Sequence, residues 1–127
     1  MSEITPYICV ADARAAIRWY TETFGAEVVV EPIMMDDDRV GHVELAVDGA
    51  RWMMSDEFDA AGVAAPPAGR GAAVTLHLTH ADVDGLSRRA SEAGAHVDRQ
   101  PEDTPHGRIA VLTDPFGHRW MLNTPTG

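Results

Sequence analysis

The chain has 127 residues, 45% apolar and 24% charged, enough for one hydrophobic core and typical of an ordinary globular domain, which excludes disordered and collagen-like classes. Twenty acidic against ten basic residues give a formal net charge of -10, which repels a phosphate backbone; with no continuous basic stripe, nucleic acid is not an expected partner. No stretch approaches the roughly 18–20 apolar residues of a spanning helix, and Met1-Ser2-Glu3-Ile4-Thr5-Pro6 lacks the basic and apolar regions of a signal peptide, so no membrane segment and a cytoplasmic location are expected.

In chain order, Thr5 to Val10 alternates as a first strand, with Ile4, Ile8 and Val10 on one face and Thr5, Tyr7 and Cys9 on the other. The lone Cys9 cannot form an internal disulfide, agrees with a reducing compartment, and reads as a small buried apolar side chain. Asp12 is placed to cap a helix over 13–24, where Ala16, Ile17, Tyr20 and Phe24 recur at helical spacing and Gly25 supplies the stop. A β-rich run follows over 27–33. Asp36-Asp37-Asp38 lacks the alternating oxygen ligands, glycine and closing glutamate of a calcium loop, and reads as a solvated hairpin tip. Strands are expected over 39–47 and 51–55, joined by the hairpin signal Asp48-Gly49.

Between Phe58 and Gly71 the chain is rich in Ala, Gly and Pro without periodicity, as in a connector. Beyond it come a strand over 74–79, a helix over 82–93, a short strand over 96–100, a strand over 108–113, a turn at Asp114-Pro115-Phe116-Gly117 and a strand over 119–123. The predicted organisation is α+β, two tandem βαβββ modules: module one 1–59, connector 60–71, module two 72–127.

The two halves carry a repeated phrase. Arg51-Trp52-Met53-Met54-Ser55 and Arg119-Trp120-Met121-Leu122-Asn123 lie 68 residues apart, each two residues after a glycine, Gly49 and Gly117. Ala11-Asp12 and Phe24-Gly25-Ala26 are answered by Ala81-Asp82 and Ala93-Gly94-Ala95, and Arg39-Val40 by Arg108-Ile109. Landmarks recurring in the same order at nearly the same offset indicate duplication.

Paired units of this size, with Gly-Ala after the first helix and Asp114-Pro115-Phe116-Gly117-His118 before the last strand, resemble the vicinal oxygen chelate superfamily. Ile4-Thr5-Pro6-Tyr7, Ser55-Asp56-Glu57-Phe58 and Val74-Thr75-Leu76-His77-Leu78 are similar to its glyoxalase and bleomycin-resistance branch. The resemblance implies two curved sheets forming a cupped cleft with helices outside. It covers glyoxalases, extradiol dioxygenases, fosfomycin-modifying transferases and metal-free proteins that sequester antibiotics, so fold alone does not fix function. In metal-dependent members the ligands come from the first and fourth main strands of each module. Alignment on Asp12, Gly49, Asp82 and Gly117 puts Thr5, Met53, Thr75 and Met121 there. A threonine hydroxyl is a poor donor to a divalent ion and a thioether suits soft copper, so no metal and no cofactor are expected at those positions.

Strand alternation gathers Thr5, Tyr7, Cys9, His42, Glu44, Arg51, Met53, Thr75, His77, Arg119, Met121 and Asn123 on the faces turned toward the implied cup. Ile8, Val10, Val43, Leu45, Trp52, Met54, Leu76, Leu78, Leu112, Trp120 and Leu122 fall on the helix-packed faces. His42, Glu44 and His77 admit three roles: polar lining of a wet pocket, a displaced metal site, or, for His42 with Glu44, metal-free acid–base catalysis. Met53 and Met121 fit either core or an adaptable apolar floor; Arg51 and Arg119 fit either surface ion pairs or contacts to a carboxylate or aromatic ligand. His80, His96, His106 and His118 fall at turns or surfaces. The preferred reading is a metal-free, antibiotic-sequestering type of binding protein for a mostly planar small organic molecule. Its expected ligand-binding residues are Tyr7, His42, Glu44, Arg51, Met53, Thr75, His77, Arg119, Met121 and Asn123. The alternative is a glyoxalase- or dioxygenase-type enzyme, and a homodimer is expected because half-sheets leave strand edges to cover.

Overall fold

A computed structural model describes residues 1–69 and 71–126; Arg70 in the expected connector and Gly127 at the end of the second module lie outside the described residues. The chain divides into two compact units, 1–66 and 67–127. Each is a four-stranded mixed sheet with one helix, giving the α+β, twice-repeated βαβββ order.

In the first unit, β1 (Tyr7–Cys9), α1 (Ala13–Thr23), β2 (Glu27–Met34), β3 (Val40–Val47) and β4 (Ala50–Ser55) build a sheet of order β1-β4-β3-β2. The pair β1/β4 is parallel and the others are antiparallel. The helix supplies the crossover that a parallel pair requires. Its start is fixed twice: the Asp12 carboxylate accepts from Ala15 N at 3.1 Å, and the buried Asp56 carboxylate accepts from Ala13 N and Val40 N at 2.7 Å each. Asp56 thereby ties the helix to β3 through charge-assisted bonds. The helix buries Ala13, Ala16, Trp19, Tyr20 and Thr23, and Tyr20 meets Trp52 of β4 edge-on at 5.3 Å between ring centroids. Such a contact contributes about 0.5–1.5 kcal/mol beyond the area it buries. Val10, Val43, Leu45 and Met54 complete this core.

Asp48 (φ 48) and Gly49 (φ 87) both adopt left-handed backbone, the two-residue turn whose twist matches a hairpin, and Val47 pairs directly with Ala50 across it.

The second unit repeats the scheme with β5 (Thr75–Thr79), α2 (Val83–Glu92), β6 (His96–Thr104), β7 (Gly107–Thr113) and β8 (Arg119–Thr124), in order β5-β8-β7-β6 with β5/β8 parallel. Asp82 caps α2 through Gly85 N at 2.9 Å, and Val83, Leu86 and Ala90 face its sheet. Asp114 organises the turn into β8: its carboxylate accepts from Phe116 N, His118 N and the buried Trp120 Nε1.

Three expectations are corrected. The strand expected to stop at Gln100 runs on to Thr104, because β6 is the end strand of its sheet and its register slips between Arg99 and Glu102, where Pro101 removes no required ladder bond. β2 passes through Pro32, as the expected run over 27–33 does, with a similar slip between Val30 and Ile33. β1 is shorter than expected, leaving Thr5 outside the regular strand, although Met53 N still donates to Pro6 O at 2.8 Å. Finally, the stretch after Phe58 is not featureless: Asp59–Ala61 forms a single 3-10 turn closed by Gly62 at φ 76, with Phe58 bridged to Val63.

Candidate functional site

On the face of the first sheet opposite Trp52, three strands bring one residue each into a row: Tyr7 of β1 pairs with Met53 of β4, which pairs with Glu44 of β3. His42 lies two residues before Glu44 on the same face, and Arg51 two residues before Met53. Their side chains form one continuous chain of contacts. Tyr7 Oη lies 2.7 Å from His42 Nδ1, His42 Nε2 lies 2.9 Å from Glu44 Oε2, and Arg51 Nη2 donates to Glu44 Oε1 at 2.7 Å.

The electrostatics of this chain are set by Glu44, whose side chain is only 14% exposed although Arg51 is 52% exposed. The hydrogen bond from His42, then that from Arg51, hold the Glu44 carboxyl below its ordinary range, so it is ionised at neutral pH and only accepts. Partial burial, and then the Glu44 charge, push the Tyr7 phenol upward, so it keeps its proton and can donate. A carboxylate at Nε2 requires hydrogen there, and a neutral ring then offers Nδ1 as an acceptor for the Tyr7 hydroxyl. Tyr7 Oη also lies 3.3 Å from Gly41 O, a longer contact than that to Nδ1. Met53 is half-buried beneath the row, and Tyr7 is half exposed.

In the second unit, Arg119 Nη1 donates to Thr75 Oγ1 at 2.7 Å, and its register partners are Thr75 on β5 and Thr113 on β7. His77 pairs with Met121, and Asn123 Nδ2 lies 3.4 Å from His77 Nε2. A depression of about 580 Å³ adjoins Arg119, lined also by Asp98, Thr113 and Gly117. Asp98 accepts from Thr113 Oγ1 at 2.8 Å and contacts His96 Nδ1 at 2.9 Å. Asp98 and Thr113 were not among the expected site residues. The alternation His96-Val97-Asp98 on the expected strand over 96–100 is the signal that places Asp98 on the same face as His96.

Tyr7, His42, Glu44, Arg51 and Met53 are therefore neighbours in the first unit, and Thr75, His77, Arg119, Met121 and Asn123 neighbours in the second. Cys9, expected on the same face as Tyr7, is buried; burial, then the charges of Glu57 and Asp56, push its thiol upward, away from reactive thiolate character.

The positions that carry metal ligands in metal-dependent relatives of this fold fail the chemical test. Met53 and Met121 offer thioethers, and the Thr75 hydroxyl already accepts from the Arg119 guanidinium. Within either unit, no three His, Cys, Asp or Glu side chains among the described residues are grouped so as to hold a metal ion. His42 and Glu44 belong to the first unit and His77 to the second.

Residues 3–122 match the family model of the glyoxalase/bleomycin resistance protein/dioxygenase superfamily. The chain belongs to this superfamily. Among curated relatives, an uncharacterized protein of Mycobacterium bovis is 36% identical over 126 residues, covering 96% of this chain and 82% of its own length. Among solved structures, TioX from Micromonospora sp. ML1 superposes with a TM-score of 0.72 at 22% identity, covering 99% of this chain and 100% of its own, a likeness of fold. TnmS3, an antibiotic binding protein from Streptomyces sp. CB03234, superposes with a TM-score of 0.69 at 28% identity, covering 99% of this chain and 98% of its own. Superfamily membership accounts for the paired βαβββ units.

Proposed function

We propose that the protein is a metal-free binder of a small, mostly planar organic molecule, of the antibiotic-sequestering kind. The observation that carries this reading is the Tyr7–His42–Glu44–Arg51 chain laid over Met53. It presents an aromatic ring, a thioether and fixed polar groups on one sheet face, where a flat ligand gains apolar contact and directional hydrogen bonds together. Likeness to TnmS3, an antibiotic binding protein, supports the ligand class. The donor set at Thr5, Met53, Thr75 and Met121 supports independence from metal.

Metal analysis by mass spectrometry of protein purified without chelator tests the reading. Less than about a tenth of an equivalent of zinc, iron, nickel or manganese per chain is expected, whereas a stoichiometric, tightly held ion would favour the enzyme alternative.

A further inference from the structure

The Tyr7–His42–Glu44 chain has a direction. Glu44 only accepts, so the hydrogen between it and His42 belongs to Nε2; in the neutral ring Nδ1 then accepts, so the hydrogen at 2.7 Å belongs to Tyr7. The single hydroxyl hydrogen of Tyr7 is thereby committed inward, and its oxygen, on a half-exposed side chain, offers lone pairs outward. At the other end of the chain, beyond Glu44, the exposed Arg51 guanidinium keeps donors besides the one given to Glu44. An outward-facing acceptor on an aromatic side chain matches an acidic hydroxyl on an aromatic ring, which brings the hydrogen that Tyr7 lacks, and the imidazole behind Tyr7 can take up the positive charge that the resulting anion requires.

We infer that Tyr7, His42 and Glu44 form a proton relay that takes up the hydroxyl proton of a hydroxyaromatic ligand and holds that ligand as its phenolate. This deepens, and rests on, the proposed binding of a planar molecule. The ligand O–H bond breaks and its proton passes to Tyr7 Oη. The original Tyr7 proton passes to His42 Nδ1, and the imidazolium so formed is held between Tyr7 Oη and the Glu44 carboxylate. Protons balance without a co-reactant: the phenol has become phenolate and the imidazole imidazolium. Tyr7, now carrying the ligand's proton, donates it back as a hydrogen bond to the phenolate. The groups facing His42 are Tyr7 and Glu44, with Arg51 beyond Glu44; on the neighbouring β2, Ile33 stands opposite His42 and Val30 opposite Glu44, and neither titrates.

Alizarin, a flat hydroxyanthraquinone whose visible band moves to longer wavelength on losing its first proton, is the probe. Its absorbance is followed against pH, free and at protein concentrations high enough to keep it bound, with tryptophan quenching reporting binding separately. With the native protein the ionisation midpoint of the bound probe is expected to fall by about one pH unit or more. Tyr7→Phe keeps the ring but removes the hydroxyl, and Glu44→Gln removes the anion that stabilises the imidazolium; both are expected to return most of the midpoint toward the free value. Binding with an unshifted or raised midpoint overturns the relay alone. An equal shift in both variants also overturns it, assigning the effect to groups outside the relay. Absence of quenching overturns both the relay and the hydroxyaromatic form of the binding reading.

Discussion

Trp52 and Met53 are adjacent in sequence and leave opposite faces of β4: Trp52 is 3% exposed against Tyr20, while Met53 lies half-buried in the row between Tyr7 and Glu44. The first belongs to the core and the second to the candidate site. Truncating Trp52 removes a large buried ring and leaves a cavity, so Trp52→Ala is expected to cost roughly 3–5 kcal/mol of stability. Met53→Ala is expected to cost less in folding and to weaken a flat aromatic ligand by about 1–3 kcal/mol through lost contact area. Chemical denaturation and ligand titration of both variants check this. A stable Trp52→Ala protein beside an unfolded Met53→Ala protein would show the faces to be reversed.

Glu44 links the site to acid stability. Its folded-state carboxyl lies below the ordinary value near 4.5, so its contribution is fully present above that value and is lost as pH falls through the lowered one. The melting temperature of the native protein should exceed that of Glu44→Gln above about pH 5, with the difference lost as the pH falls further and the carboxylate takes up its proton. Other acid-sensitive groups, including Asp37, whose bonds from Arg39 also hold it low, are common to both proteins and cancel in the comparison. A difference that fails to shrink between about pH 5 and about pH 2 would contradict the arrangement described.

Assembly as a homodimer is proposed. Val29, Ile33 and Met34 on β2, the end strand of its sheet, and Met35 just after it are exposed apolar residues along an open strand edge. Light scattering at high micromolar concentration should give about twice the 13.7 kDa chain mass. Ile33→Glu should shift the population toward monomer if this edge is the one covered. A monomer mass for the native protein would refute the proposal.

The architecture was legible because it is written twice. The Arg-Trp-Met phrase fixed which residues of β4 and β8 alternate, the burial of Trp52, Met54, Trp120 and Leu122 follows that alternation, and Asp12, Asp82 and the Asp48-Gly49 turn act through local rules readable without tertiary context. Strand ends were less legible. Proline reads locally as a stop, yet Pro32 and Pro101, 69 residues apart, occupy the same irregular place in the outer strands of both units, a landmark of the repeat visible only once register is known.

At the site, alternation could place Tyr7, His42, Glu44 and Arg51 on a common face, but not order them into a chain. That order depends on which residues stand opposite one another, a register that hydrophobic pattern alone fixes only to within steps of two. Asp56 shows the same limit: nothing in Ser55-Asp56-Glu57 reveals that its carboxylate accepts from Ala13 N and Val40 N, residues brought close only by the folded sheet. Long-range polar contacts of this kind leave no period in the sequence.

The central claim, binding of a planar organic molecule without metal, is tested most directly by calorimetric titration of alizarin into protein dialysed exhaustively against EDTA and then against chelator-free buffer. Affinity is expected to be retained after chelation and to change less than about twofold when the protein is reloaded with zinc, nickel, manganese or iron(II) and unbound ion, which alizarin itself would chelate, is removed by gel filtration before titration. Binding that disappears on chelation and reappears with one of these ions would contradict it.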